Sequence, residues 1–302
     1  MKRVLPCFLA TLLFLTACAA SGGTPGQEAV EHPTGSDPIL VVSHEGGMLP
    51  AHLQVMNLPS FVLLGDGRMI VQGVQTLEFP GPALPALIER TLTEGGIQAV
   101  LDAIEQTNLF TADLDLRGAQ NQVADASDTV FTLNAGQDEV VVRVYGLGML
   151  DPSLGAPPGV TSAELEAHQA LNELNNALTT LETWLPADAW EAEGWLPYEP
   201  QALRLYVRDV TGEPIDGGDL PGQVREWPTD DDPAAFGEEQ EGFGDGTRCG
   251  VVDGDTGASW FAELSAANQS TLWTADGENR IRVQARPLLP HEASICPNLF
   301  GS

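Results

Sequence analysis

The chain has 302 residues, 43% of them hydrophobic, and carries 43 acidic against 13 basic side chains for a formal net charge of −30. That length supports one large domain or two ordinary ones, each with an apolar core of its own. A surface this negative repels phosphate backbones and anionic headgroups, which excludes nucleic acid as a partner and basic patches as a means of holding a membrane.

In chain order, Lys2 and Arg3 precede an apolar run from Val4 to Leu15, and small residues then lead to Cys18. This is the layout of an export signal over residues 1–17. As a helix the run covers about 18 Å, against roughly 30 Å of bilayer hydrocarbon, so a spanning anchor is not expected. Leu15-Thr16-Ala17-Cys18 resembles the lipobox of bacterial lipoproteins. The resemblance implies cleavage before Cys18, lipidation of Cys18 with acyl chains such as palmitate, and a cell-membrane location facing outside the cytoplasm. A plain secretory signal, cut after Ala17 or Ala20, is the rival. The leader takes Lys2, the only lysine, and Arg3 with it, leaving eleven arginines against 43 acids and a charge of −32.

The cysteines then reduce by elimination. Cys7 lies in the leader and Cys18 takes the lipid, so Cys249 and Cys296 form an even pair in an exported protein. One disulfide is expected. Two metal-binding thiolates are the rival, and no paired Cys-x-x-Cys supports them.

Residues 18–38 are rich in Gly, Ser, Thr and Pro and are expected to form a lipidated tether. Residues 39–185 are expected to be an α+β domain of two β-β-α units. Ile39–Val42 is a compact strand signal, and Ser60–Leu64 and Arg68–Val71 flank Gly65-Asp66-Gly67, a hairpin turn. Prolines 80, 82 and 85 then carry the chain to a helix, with Thr91 and Glu94 at capping-box spacing and Ile97, Val100, Leu101 and Ile104 on one face. The second unit repeats the plan. Thr129–Leu133 and Val140–Tyr145 form a hairpin, and Thr161 with Glu164 caps a helix striped by Leu165, His168, Leu171, Leu174, Leu178 and Leu181.

Residues 186–199, rich in Pro and Trp, read as a linker or loop, and 200–302 as a smaller α+β domain tied by the disulfide. There Leu203–Val207 starts a sheet, and Glu226–Asp245, with eight acids in twenty residues, is expected to be exposed. Ala258–Ala267 is expected to be a short helix, and Asp276-Gly277 turns a final hairpin. The fold class is thus α+β, with antiparallel sheets and helices packed on one face.

No catalytic residue is assigned. His44 and His52 are eight apart beside Pro50, which fits no helical metal motif. Asp253 and Asp255, with Asp230, Asp231 and Asp232, are weak candidates for a calcium site, but Gly257, Ala258 and Leu264 break the EF-hand pattern. There is no Gly-x-Ser-x-Gly, and without lysine no Ser-x-x-Lys. Glu45-Gly46-Gly47 together with Leu63–Arg68 resembles uncharacterised exported bacterial lipoproteins, which implies no activity. The expectation is a membrane-anchored protein acting by binding or structural interaction, without catalysis or cofactor. Its membrane partner is reached through the lipid, and its protein or small-molecule partner is unspecified. The alternatives are an exported hydrolase using carboxylates the sequence does not locate, and a calcium-responsive surface module.

Overall fold

The computed structural model describes residues 29–297, apart from 137, 214–222 and 242. The expected export signal, Cys18 and the part of the expected tether before residue 29 lie outside the described residues. Eight strands make a first sheet: β1 (Pro38–Gly46), β2 (Phe61–Leu64), β3 (Arg68–Gln72), β4 (Leu87–Thr91), β5 (Leu114–Leu116), β6 (Ser127–Asn134), β7 (Glu139–Tyr145) and β8 (Leu196–Pro197). Their spatial order is β5-β7-β6-β1-β2-β3-β4-β8, antiparallel throughout except for β5 on β7. The two expected hairpins therefore share one sheet, joined through β1, which pairs with β2 on one side and β6 on the other.

Both hairpin turns follow from their residues. Gly67 sits at φ +82°, and a Cβ there would strike the Leu92 carbonyl, so the turn needs glycine twice over. Gly136, also at φ +82°, turns β6 into β7.

A single turn of helix, α1 (Ala51–Gln54), follows β1, and helices α2 (Glu94–Glu105) and α3 (Ser162–Thr179) cover one face of this sheet. Ile97, Val100, Leu101 and Ile104 of α2 and Leu171, Leu174 and Leu178 of α3 pack on Phe61, Leu63, Phe131 and Val142. The other face of β2 is buried too. Val62 and Leu64 meet Leu58, Tyr198 and Leu289, so β2 reads as an unbroken apolar run.

The α2 cap corrects the sequence expectation. Thr91 is the last residue of β4, and Thr93 is the N-cap, its Oγ1 accepting from Gly96 N–H at 3.3 Å. Strand β4 intervenes between the first hairpin and α2, so the first unit is not a plain β-β-α. Thr161 does cap α3, accepting from Glu164 N–H at 3.1 Å. The Glu164 carboxylate does not reach back to it but accepts from Gly118 N–H at 2.6 Å.

The second sheet has the order β10-β13-β14-β9-β12-β11. Its strands are β9 (Ala202–Asp209), β10 (Val224–Glu226), β11 (Glu238–Glu239), β12 (Arg248–Asp253), β13 (Leu272–Thr274) and β14 (Ile281–Pro287). Helix α4 (Gly254–Ser265) packs Trp260 and Leu264 against Leu203, Leu205, Val207, Trp227 and Trp273. Trp260 stands edge-on to Trp227 at 4.7 Å and tilted on Trp273 at 5.2 Å, so the late tryptophans are core. Residues 226–245 keep their acids exposed but are pinned by Trp227 and Phe236. Segment 186–199 is laid onto the first sheet: Trp190 bridges to Leu92, and β8 pairs with β4.

Candidate functional site

Cys249 lies on β12 and Cys296 on the chain end, and they form a disulfide with Cα atoms 6.0 Å apart. The bond holds residues 288–297 across the face of the second sheet opposite α4. That face carries Arg204, Tyr206, Arg208, Gln284 and Arg286, the side chains that alternate away from the Trp260 core.

Arg286 is the centre of the arrangement. It is 5% exposed, and its guanidinium donates to both Glu292 oxygens, at 2.6 and 2.7 Å, and twice to the Asn57 carbonyl. Glu292 also accepts from Leu289 N–H at 2.8 Å. Burial pushes the Glu292 carboxyl up, but the hydrogen bonds from Arg286 and its charge outweigh it and hold the group below its ordinary value. Arg204, 8% exposed, donates to the Ile295 carbonyl, and burial lowers its pKa. One carboxylate thus serves two buried guanidiniums. The Tyr206 hydroxyl is buried beside the Arg204 guanidinium, and burial raises its pKa against the pull of that charge.

Two concavities flank this face. One, of about 740 Å³, lies beside the disulfide and is lined by Glu238, Glu239 and Glu241 with Val251 and Ile295. The other, of about 570 Å³, runs between β14 and the loops 47–58 and 73–86, and is lined by Leu53, Met56, Pro82, Leu84 and residues 283–286. Met48, Leu49, Val74, Leu77 and Phe79 stand exposed on the same two loops.

No protein-family profile, curated protein or solved structure matches the chain. What the site does must be argued from its own groups.

Asp232 caps a single 3₁₀ turn, its carboxylate accepting from Ala234 N–H at 2.9 Å, and Asp230 and Asp231 precede it in the loop. Asp253 is the N-cap position of α4 and Asp255 lies in its first turn. Among the described residues no three His, Cys, Asp or Glu side chains converge as a metal would require. His44 Nδ1 lies 3.3 Å from Thr129 Oγ1, but that hydroxyl is 3% exposed and meets no substrate. His168 is buried on the apolar face of α3 with neither ring nitrogen hydrogen-bonded. Among the described residues no histidine is hydrogen-bonded to a serine or cysteine, and the one hydroxyl–imidazole contact is that of Thr129 with His44.

Sequence reasoning missed two groups. Arg286 is one: an arginine alternating with Ala285 in an apolar strand gives no sign that a carboxylate six residues on will pair with it. Glu89 is the other. Burial, opposed by Arg68, raises its pKa, and its Oε2 is buried without a hydrogen bond. Its signal was a carboxylate inside the unrecognised strand β4.

Proposed function

We propose that this chain is a lipid-anchored protein held on a cell membrane and facing outside the cytoplasm, acting by binding rather than by catalysis. The observation that carries the reading is Leu15-Thr16-Ala17-Cys18 behind a short basic and apolar leader. The Cys249–Cys296 bond supports it, because structural disulfides belong to oxidising compartments outside the cytosol. Two acyl chains on Cys18 are enough for stable anchoring, and no described helix is long and apolar enough to cross a membrane. The binding half of the reading is supported by the two concavities, one beside the disulfide and one beside β14. The hydrolase alternative has one carboxyl in its favour, Glu89. A glycosidase needs a second carboxyl across the scissile bond.

The test is cell fractionation of the full chain beside its Cys18→Ala variant. Wild type is expected in the membrane fraction and released by detergent, with the variant in the soluble fraction. A variant that stays with the membrane overturns the anchor.

A further inference from the structure

The outer edges of both sheets are blunted. They end in strands β5, β8, β10 and β11, each two or three residues long. One edge is not. Strand β13 pairs with β14 only at Arg282 and Ile281, so among the described residues no strand lies beside β14 beyond Val283 on that side.

The backbone parity there can be read from the register. Strands β14 and β9 pair without a shift from Ile281↔Asp209 to Pro287↔Leu203. Just beyond those ends Val210 N–H donates to the Arg280 carbonyl at 2.8 Å, and Leu288 N–H to the Ala202 carbonyl at 3.0 Å. Even-numbered residues of β14 therefore bond to β9, and the N–H and C=O of Val283 and Ala285 point the other way. They point into the 570 Å³ groove, which residues 283–286 line. Among the described residues the Ala285 amide and carbonyl have no hydrogen-bond partner, although Ala285 is 4% exposed. Pro287, at the next odd position, shows the same edge character: its missing N–H would have pointed outward.

We infer that this groove receives an extended segment of another protein, which adds as a strand to the Val283–Ala285 edge and seats aliphatic side chains on Leu53, Met56 and Leu84. This rests on the binding reading of the function and names the partner's chemistry. Unpaired main-chain donors and acceptors beside an apolar wall are what strand addition uses. The other occupants fit less well. Pro297 is held by Gln240 next to β11, three strands from β14. The N-terminal segment enters at the opposite end of the first sheet, where Gly136 N–H donates to the Glu31 carbonyl and Asp66 N–H to the Gly35 carbonyl. A second copy brings another −30 of charge. The same charge favours a segment with basic flanks.

The test is fluorescence anisotropy of the full chain with a labelled Lys-Val-Thr-Val-Thr-Val-Lys peptide. Saturable binding is expected, weakened about tenfold by Ala285→Pro, which removes one outward N–H and no bond to β9. Should that variant melt early, the same peptide N-methylated at alternate residues makes the comparison on the wild-type chain. No saturable binding overturns the proposal, as does equal binding of variant and wild type or of methylated and plain peptide. A concentration-dependent dimer abolished by Ala285→Pro also overturns it, in favour of a second copy. Recovered peptide is expected intact. Cleaved peptide with the N-methyl effect preserved sinks the non-catalytic reading and leaves the groove standing.

Discussion

His168 is the one polar side chain set into the leucine stripe of α3, 3% exposed and with both ring nitrogens lacking a partner. Burial lowers its pKa, and the Glu164 carboxylate opposes this only weakly. His291 is lowered for the same reason. With the folded pKa below the ordinary value, the unfolded chain takes up these protons first. The stability these groups contribute is therefore full above about pH 6.5 and lost as pH falls through the folded values. Replacing His168 by leucine removes one titrating group and two unsatisfied nitrogens at little change in volume. Denaturant melts of His168→Leu are expected to show a gain of about 1–3 kcal/mol and a shallower loss of stability between neutral and mildly acid pH. A variant less stable than wild type at neutral pH would show that the imidazole is satisfied after all.

At the scale of elements, the disulfide is what keeps the chain end on the Arg204 face. Its two cysteines are 47 residues apart, and closing a loop of that size takes about 4 kcal/mol of entropy from the unfolded chain as an upper estimate. Cys249→Ala with Cys296→Ala is expected to lower the unfolding free energy from urea melts by most of that amount while far-UV dichroism keeps its shape, because the Trp260 core lies on the opposite face. Loss of the β signal altogether would mean that segment 288–297 is required to form the sheet. The bond was legible in the sequence because it needed only cysteine arithmetic. The hairpins at Gly67, Gly136 and Gly277 and the caps and stripe of α3 were legible because each is written in neighbouring residues. Strands β4, β10 and β12 were not. Leu-Ile-Glu-Arg-Thr of β4 and Val-Arg-Glu of β10 have no alternation that marks a strand, and pairing with β3 and β13 alone makes them so. The groove was illegible for the same reason. It exists because β13 stops short beside β14, a fact of pairing between segments rather than of either segment.

For the whole molecule the dominant fact is charge, −30 over a chain whose cations are all arginine beyond Lys2. Those arginines are spent locally: Arg117 and Arg143 share Asp128, Arg225 holds Glu263, Arg208 holds Glu213, and Arg90 pairs with Glu182 while stacking on Trp190. Most carboxylates are left facing one another across solvent, and folding brings them closer than the open chain does. Screening at a Debye length of about 10 Å in 0.1 M salt relieves that repulsion more than it weakens the exposed ion pairs, which are worth little individually. Thermal stability is therefore expected to rise steadily from about 0.01 M to 0.5 M sodium chloride. Calcium gives the sharper comparison. A specific site would add a saturable step at low millimolar calcium on top of the smooth rise, and the five candidate aspartates are divided between a loop and the start of α4, with no three ligands converging at either among the described residues. Melts in calcium chloride are accordingly expected to follow a smooth, non-saturating curve, as in sodium. A plateau reached at low calcium, absent with magnesium, would overturn this and make the acidic surface a cation sensor.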